Sequence, residues 1–83
     1  MSPIESELRR YIVERFLFGA DQPLAADDSL IASHVIDSTG VLELVSFLEE
    51  RFAIEIADLE MVPQNLDSIR RIVEFVSKKL AGA

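Results

Sequence analysis

Asp37-Ser38-Thr39-Gly40-Val41-Leu42-Glu43-Leu44-Val45-Ser46-Phe47-Leu48-Glu49-Glu50-Arg51-Phe52 is the stretch on which the fold turns. Val41, Leu44, Val45, Leu48 and Phe52 recur at intervals of three and four residues, while Glu43, Glu49 and Glu50 fall mostly off that stripe. That spacing predicts an amphipathic helix over about residues 38 to 52, opening at the Asp-Ser dipeptide. Leu42 and Phe47 widen the apolar arc, so part of this helix is either wrapped by the loop that precedes it or offered to a partner.

Upstream, Ser2-Pro3-Ile4-Glu5 combines a capping serine, proline at the first helical position and glutamate three residues after the cap. Ile4, Leu8, Tyr11, Ile12, Arg15 and Phe16 then repeat at helical spacing until Gly19, which predicts a first helix over about residues 3 to 18. Between Gly19 and Asp37 no period is sustained. Pro23 and the turn formers Asp21, Asp27, Asp28 and Ser29 predict a long loop, with Leu30, Ile31, Val35 and Ile36 pinning it to the core. A connection of that length inside a compact domain points to function.

Downstream, Ile54 and Ile56 alternate as in a strand but have no partner strand in the chain, so an extended link is expected. Residues 57–61 can form one helical turn before Pro63 stops it. Ile69, Ile72, Val73, Val76 and Leu80 make one stripe, with Lys78 and Lys79 where a helix dipole favours cations, predicting a last helix over about residues 67 to 80. The fold class is therefore all-α: a small four-helix bundle of three main helices and one short one, with a long loop between helices 1 and 2.

Eighty-three residues close one hydrophobic core, so residues 1–83 are expected to form a single domain. With 49% hydrophobic and 28% charged residues the composition is that of a globular chain. Neither a membrane span nor a secretory leader is visible, and a cytoplasmic monomer is expected. Fifteen acidic against eight basic residues give a net charge of −7, which repels a nucleic-acid backbone and attracts basic protein surfaces.

The inventory for catalysis is thin, with one histidine, no cysteine and no glycine-rich phosphate loop. His34 lies close enough in sequence to Ser38 to act as its base, yet no acid or oxyanion donor accompanies the pair, so no enzyme is expected. Acidic pairs such as Asp27-Asp28 and Glu49-Glu50 read as solvated faces, and no metal site is assigned.

One position stands out. Ser38 falls at the first turn of a helix, where unpaired N–H groups and the positive end of the helix dipole favour a phosphate group. The dipeptide alone carries little weight, because Asp67-Ser68 also begins a helix. Context separates them, since Ser38 follows the long loop and opens a glutamate-rich helix, whereas Ser68 precedes Arg70 and Arg71.

Taken together, Asp28-Ser29-Leu30, Val35-Ile36-Asp37-Ser38, Glu43-Leu44-Val45, Leu48-Glu49-Glu50, Phe52-Ala53-Ile54-Glu55-Ile56 and Ile72-Val73-Glu74-Phe75-Val76 resemble the acyl carrier and peptidyl carrier protein family over nearly the whole chain. The resemblance implies a free-standing carrier in which Ser38 bears a 4'-phosphopantetheine arm, flanked by the motif residue Asp37. The arm comes from coenzyme A, added by a phosphopantetheinyl transferase with magnesium, and holds an acyl, aminoacyl or peptidyl group as a thioester. It further implies a loading ligase and downstream transferases or synthases as partners, docking on Thr39, Glu43, Glu49 and Glu50. Absence of cysteine is compatible with a thiol supplied by the arm.

Thr39 stands where the family usually has leucine, and Gly40 where many fatty-acid carriers have an acid, which implies a specialised pathway. His34 replaces a common glycine and tolerates positive φ better than a branched residue does. Read without the resemblance, the same acidic helix suits a non-catalytic adaptor that binds a protein partner and carries no prosthetic group.

Overall fold

The computed structural model describes residues 3–17 and 25–82. Among them are four α-helices, α1 Pro3–Arg15, α2 Ser38–Phe52, α3 Pro63–Leu66 and α4 Ile69–Gly82, with a 3-10 turn at Asp58–Glu60. Among the described residues there is no strand, and no helix is long and apolar enough to cross a membrane. The predicted cap Ser2 and stop Gly19 lie outside the described residues.

Leu8 and Ile12 of α1, Leu44 and Leu48 of α2 and Ile69, Ile72 and Val76 of α4 are fully buried. They form one core with Leu30, Val35 and Ile36 of the long connection and Ile54 and Ile56 of the link after α2. α4 packs against α1, α2 and α3. Between α1 and α2 the seam is aromatic. The Tyr11 and Phe47 rings stack with centroids 3.9 Å apart, and Phe16 and Phe52 meet this pair edge-on.

Phe47 is thereby covered, whereas Leu42 stays 59% exposed, which divides the two residues that widened the apolar arc of α2. The link after α2 is extended as expected: Ala53 ends the helix at φ 55°, then Ile54 and Ile56 turn inward and Glu55 outward.

Some expectations need correction. Pro63 begins a helix instead of stopping one, because at the first helical position its missing N–H has no partner to lose. The turn before it is 3-10 and is tied to α4 by Lys79, whose Nζ lies 2.6 Å from Glu60 Oε1 and 5.5 Å from the Phe75 ring centre. The Lys79 hydrogen bond, aided by the Ala57 N–H, holds the Glu60 carboxyl below the usual carboxylate range. Helix α4 runs from 69 to 82, two residues later than expected at each end. Ile31 and Leu80 were expected in the core and are each 43% exposed; Phe75 is buried on α4 instead.

Candidate functional site

Ser38 is the first residue of α2, and Asp37 caps the helix. With φ −99° and ψ −175° Asp37 is extended, and one carboxylate oxygen accepts the Gly40 N–H at 2.7 Å. The Val41 N–H donates to the Asp37 carbonyl at 3.0 Å, the first rung of the helix ladder. The Ser38 and Thr39 N–H groups are left without a partner among the described residues, and both side chains are exposed. An accessible hydroxyl beside free N–H groups at a helix start fits a phosphodiester. Asp37 is the cap, so Ser38 is spared that structural duty.

The loop fixes where this turn sits. Ile36 and Val35 are buried just before it, and His34 adopts φ 62°, in the left-handed region. Further back, Asp67 at the α3–α4 corner holds the loop. Its carboxylate accepts the Ser29 hydroxyl at 2.7 Å and the Ile31 N–H at 3.0 Å, and its carbonyl accepts the Leu30 N–H at 2.6 Å. Arg70 adds its N–H to the Ala26 carbonyl at 2.9 Å and its guanidinium to Asp27 at 2.7 Å. No sequence pattern pointed to Asp67; the polar turn formers of the loop were the only hint that something had to receive their donors.

Three Asp-Ser dipeptides are thus told apart by structure. The Ser29 hydroxyl is committed to Asp67, and Ser68 is 4% exposed with its hydroxyl accepting the Arg71 N–H. Only Ser38 is exposed.

Along α2 beyond Ser38, Thr39, Leu42, Ser46, Glu50 and Arg51 are exposed and Glu43 is half-buried. Glu43 pairs with Arg15 of α1 at 2.8 Å, whereas Glu50 is exposed and makes no ion pair with a described residue. Glu49 has a different job: its carboxylate accepts the Ile56 N–H at 3.0 Å and fastens the link to the helix. Gly40, read above as a missing surface charge, is buried. A Cβ there would lie 2.9 Å from Phe16 Cε1 and 3.1 Å from Ile36 Cγ2, so the position is ruled by packing.

Gly40→Glu is accordingly expected to destabilise the chain. An acid in the first turn gains about 0.3–1 kcal/mol from the dipole, but overpacking costs about 1–3 kcal/mol. Packing wins, and a thermal melt should fall by several degrees; an unchanged melt would show that Phe16 moves aside freely.

Among the described residues no group of three or more His, Asp or Glu side chains is placed to hold a metal ion. Taken together, the small helical bundle and the accessible Asp-Ser serine at the start of an acidic helix fit a carrier domain. No family model matches the chain. It is 32% identical over 79 residues to an acyl carrier protein of Buchnera aphidicola, covering 95% of each chain. An acyl carrier protein of Campylobacter hominis is 37% identical over 84% of this chain and 85% of its own. A probable acyl carrier protein, PigG, of Serratia sp. is 28% identical over 90% of this chain and 86% of its own. The chain belongs to the acyl carrier protein family and is a carrier, not an enzyme.

Proposed function

We propose that the chain carries an acyl, aminoacyl or peptidyl group on a 4'-phosphopantetheine arm attached to Ser38, and hands it between enzymes of a specialised pathway in the cytoplasm. The observation that carries the proposal is the exposed Ser38 hydroxyl at the start of α2, beside the Ser38 and Thr39 N–H groups that have no partner among the described residues. When bound, the arm supplies a thiol that holds the cargo as a thioester, chemistry a chain without cysteine cannot perform alone.

The residues of the chain do the rest. In the attachment step the Ser38 oxygen bonds to the phosphorus of coenzyme A nearest the pantetheine. The pyrophosphate P–O bond breaks, 3',5'-adenosine bisphosphate leaves, and the serine proton passes to a base of the transferase. Asp37 keeps the helix start intact, and the Ser38 and Thr39 N–H groups would hold the phosphate that results.

Docking falls to the outer face of α2. Glu43 and Glu50 lie about 8 and 18 Å along the axis from Ser38 at 1.5 Å per residue, with Thr39 and Leu42 between them and the hydroxyl. A transferase, a loading ligase and later transferases or synthases would each bring a basic surface to these acids. Glu49 serves this face indirectly, through the link it holds. The specialised pathway rests on Thr39, since Gly40 lies inside.

The experiment is intact mass after incubation with coenzyme A, magnesium and a broad-specificity phosphopantetheinyl transferase. One added phosphopantetheine per chain is expected. A chain that binds partners and gains no mass is an adaptor, and the proposal fails.

A further inference from the structure

Glu43 is the docking acid nearest the attachment turn, and the chain already occupies it. The Arg15 guanidinium at the C-terminal end of α1 donates to Glu43 Oε1 at 2.8 Å, with the two side chains 54% and 41% exposed. Around the pair Tyr11, Ser46, Phe47 and Glu50 line a shallow cleft that opens to solvent. A basic partner side chain that reaches Glu43 therefore meets a cation in place.

We propose that Arg15 is an internal competitor for Glu43, a specificity-determining residue that sets how basic an enzyme must be to engage this carrier. The inference rests on the docking role proposed for Glu43. An exposed ion pair is weak enough to be displaced, so Arg15 raises the threshold without blocking it. A partner with several basic groups exchanges one pair for another and gains the rest at Glu50. A weakly basic partner gains too little.

Charge alone must be separated from this exchange, because removing any cation from a chain of net charge −7 attracts basic partners more strongly. Arg10 provides the control. It is also on α1, is 80% exposed and pairs with Glu14 instead of Glu43.

Tyr11 provides a reporter that does not depend on any enzyme. Burial raises its pKa most, the Glu43 charge raises it further, and Arg15 lowers it. The chain has one tyrosine and no tryptophan, so phenol ionisation can be followed by absorbance on the intact protein.

The test measures kcat/KM of phosphopantetheinyl transfer for Arg15→Met, Arg10→Met and Glu43→Gln, and for Arg15→Met combined with Glu43→Gln, across a salt series. Arg15→Met should exceed Arg10→Met by about two- to fivefold at low salt, the range set by exposed ion pairs. The advantage should vanish near 1 M salt, where the Debye length is about 3 Å. Glu43→Gln should slow transfer more in the Arg15→Met background than alone. The Tyr11 titration should move up in Arg15→Met and down in Glu43→Gln.

Equal rates for Arg15→Met and Arg10→Met, with Glu43→Gln still slow, overturn the competition and leave the docking role standing. Rates indifferent to Glu43→Gln in both backgrounds remove the docking role and the competition together. A Tyr11 titration unmoved by either substitution shows that neither charge sits beside Tyr11 in solution, which removes the geometry the inference stands on and overturns it.

Discussion

Ser38→Ala is expected to abolish phosphopantetheine attachment completely while leaving the melting temperature within a few degrees of the unsubstituted chain. The attacking oxygen is gone, and no other described Asp-Ser serine is accessible to replace it: Ser29 is held by Asp67, and Ser68 is buried. Stability is spared because Asp37 caps α2. Alanine at the first helical position loses no cap and has a helix propensity better than serine by about 0.5 kcal/mol. Ser68→Ala should behave in the opposite way, accepting one arm but losing the hydroxyl that receives the Arg71 N–H, at a cost of about 0.5–2 kcal/mol. Intact mass and thermal melts on the two variants make the test. An arm on Ser38→Ala, or none on Ser68→Ala, would place the attachment elsewhere.

How far the sequence could be read depended on whether one residue settled an issue alone. Helix α2 was legible to its ends, since Asp37 is a local cap and the stripe from Val41 to Phe52 needs no knowledge of neighbours. Pro63 was ambiguous, because the same missing N–H that ends one helix suits the start of another, and only the position of the next turn decides. Ile31 and Leu80 belong to apolar patterns whose ends run past the elements that would cover them; periodicity gives the face but not the reach of the partner.

The site divides in the same way. That Ser38 opens a helix was legible, because a helix start is a local property. The acids were not, since Glu43, Glu49 and Glu50 look alike in sequence and differ only in what folding brings to them: Arg15, the Ile56 N–H and no ion-pair partner among the described residues. Gly40 misled for a related reason. Substitution of an acid by glycine reads as lost charge, and only Phe16, twenty-four residues earlier, shows that the place is taken.

Leu42 and Leu44, two residues apart on α2, should separate docking from stability. Leu44 is fully buried, so Leu44→Ala is expected to cost about 2–5 kcal/mol, the lost transfer energy plus the cavity left behind. In a domain of this size each kcal/mol lowers the melting temperature by about 4–8 °C. A drop of roughly 8 °C or more is therefore expected, and much of the chain unfolds if its total stability lies at the low end of about 5–15 kcal/mol. Leu42 is 59% exposed, and its truncation should stay within about 0.5 kcal/mol. Its place beside Thr39, one turn from Ser38, gives it a different consequence: Leu42→Ala should slow phosphopantetheine transfer with little change in the salt dependence that the acids impose. Melting curves and transfer rates on both variants decide the matter. If Leu44→Ala melts as the parent does, the inward face of α2 has been misplaced; if Leu42→Ala transfers at the parental rate, the outer face docks through its acids and Thr39 alone.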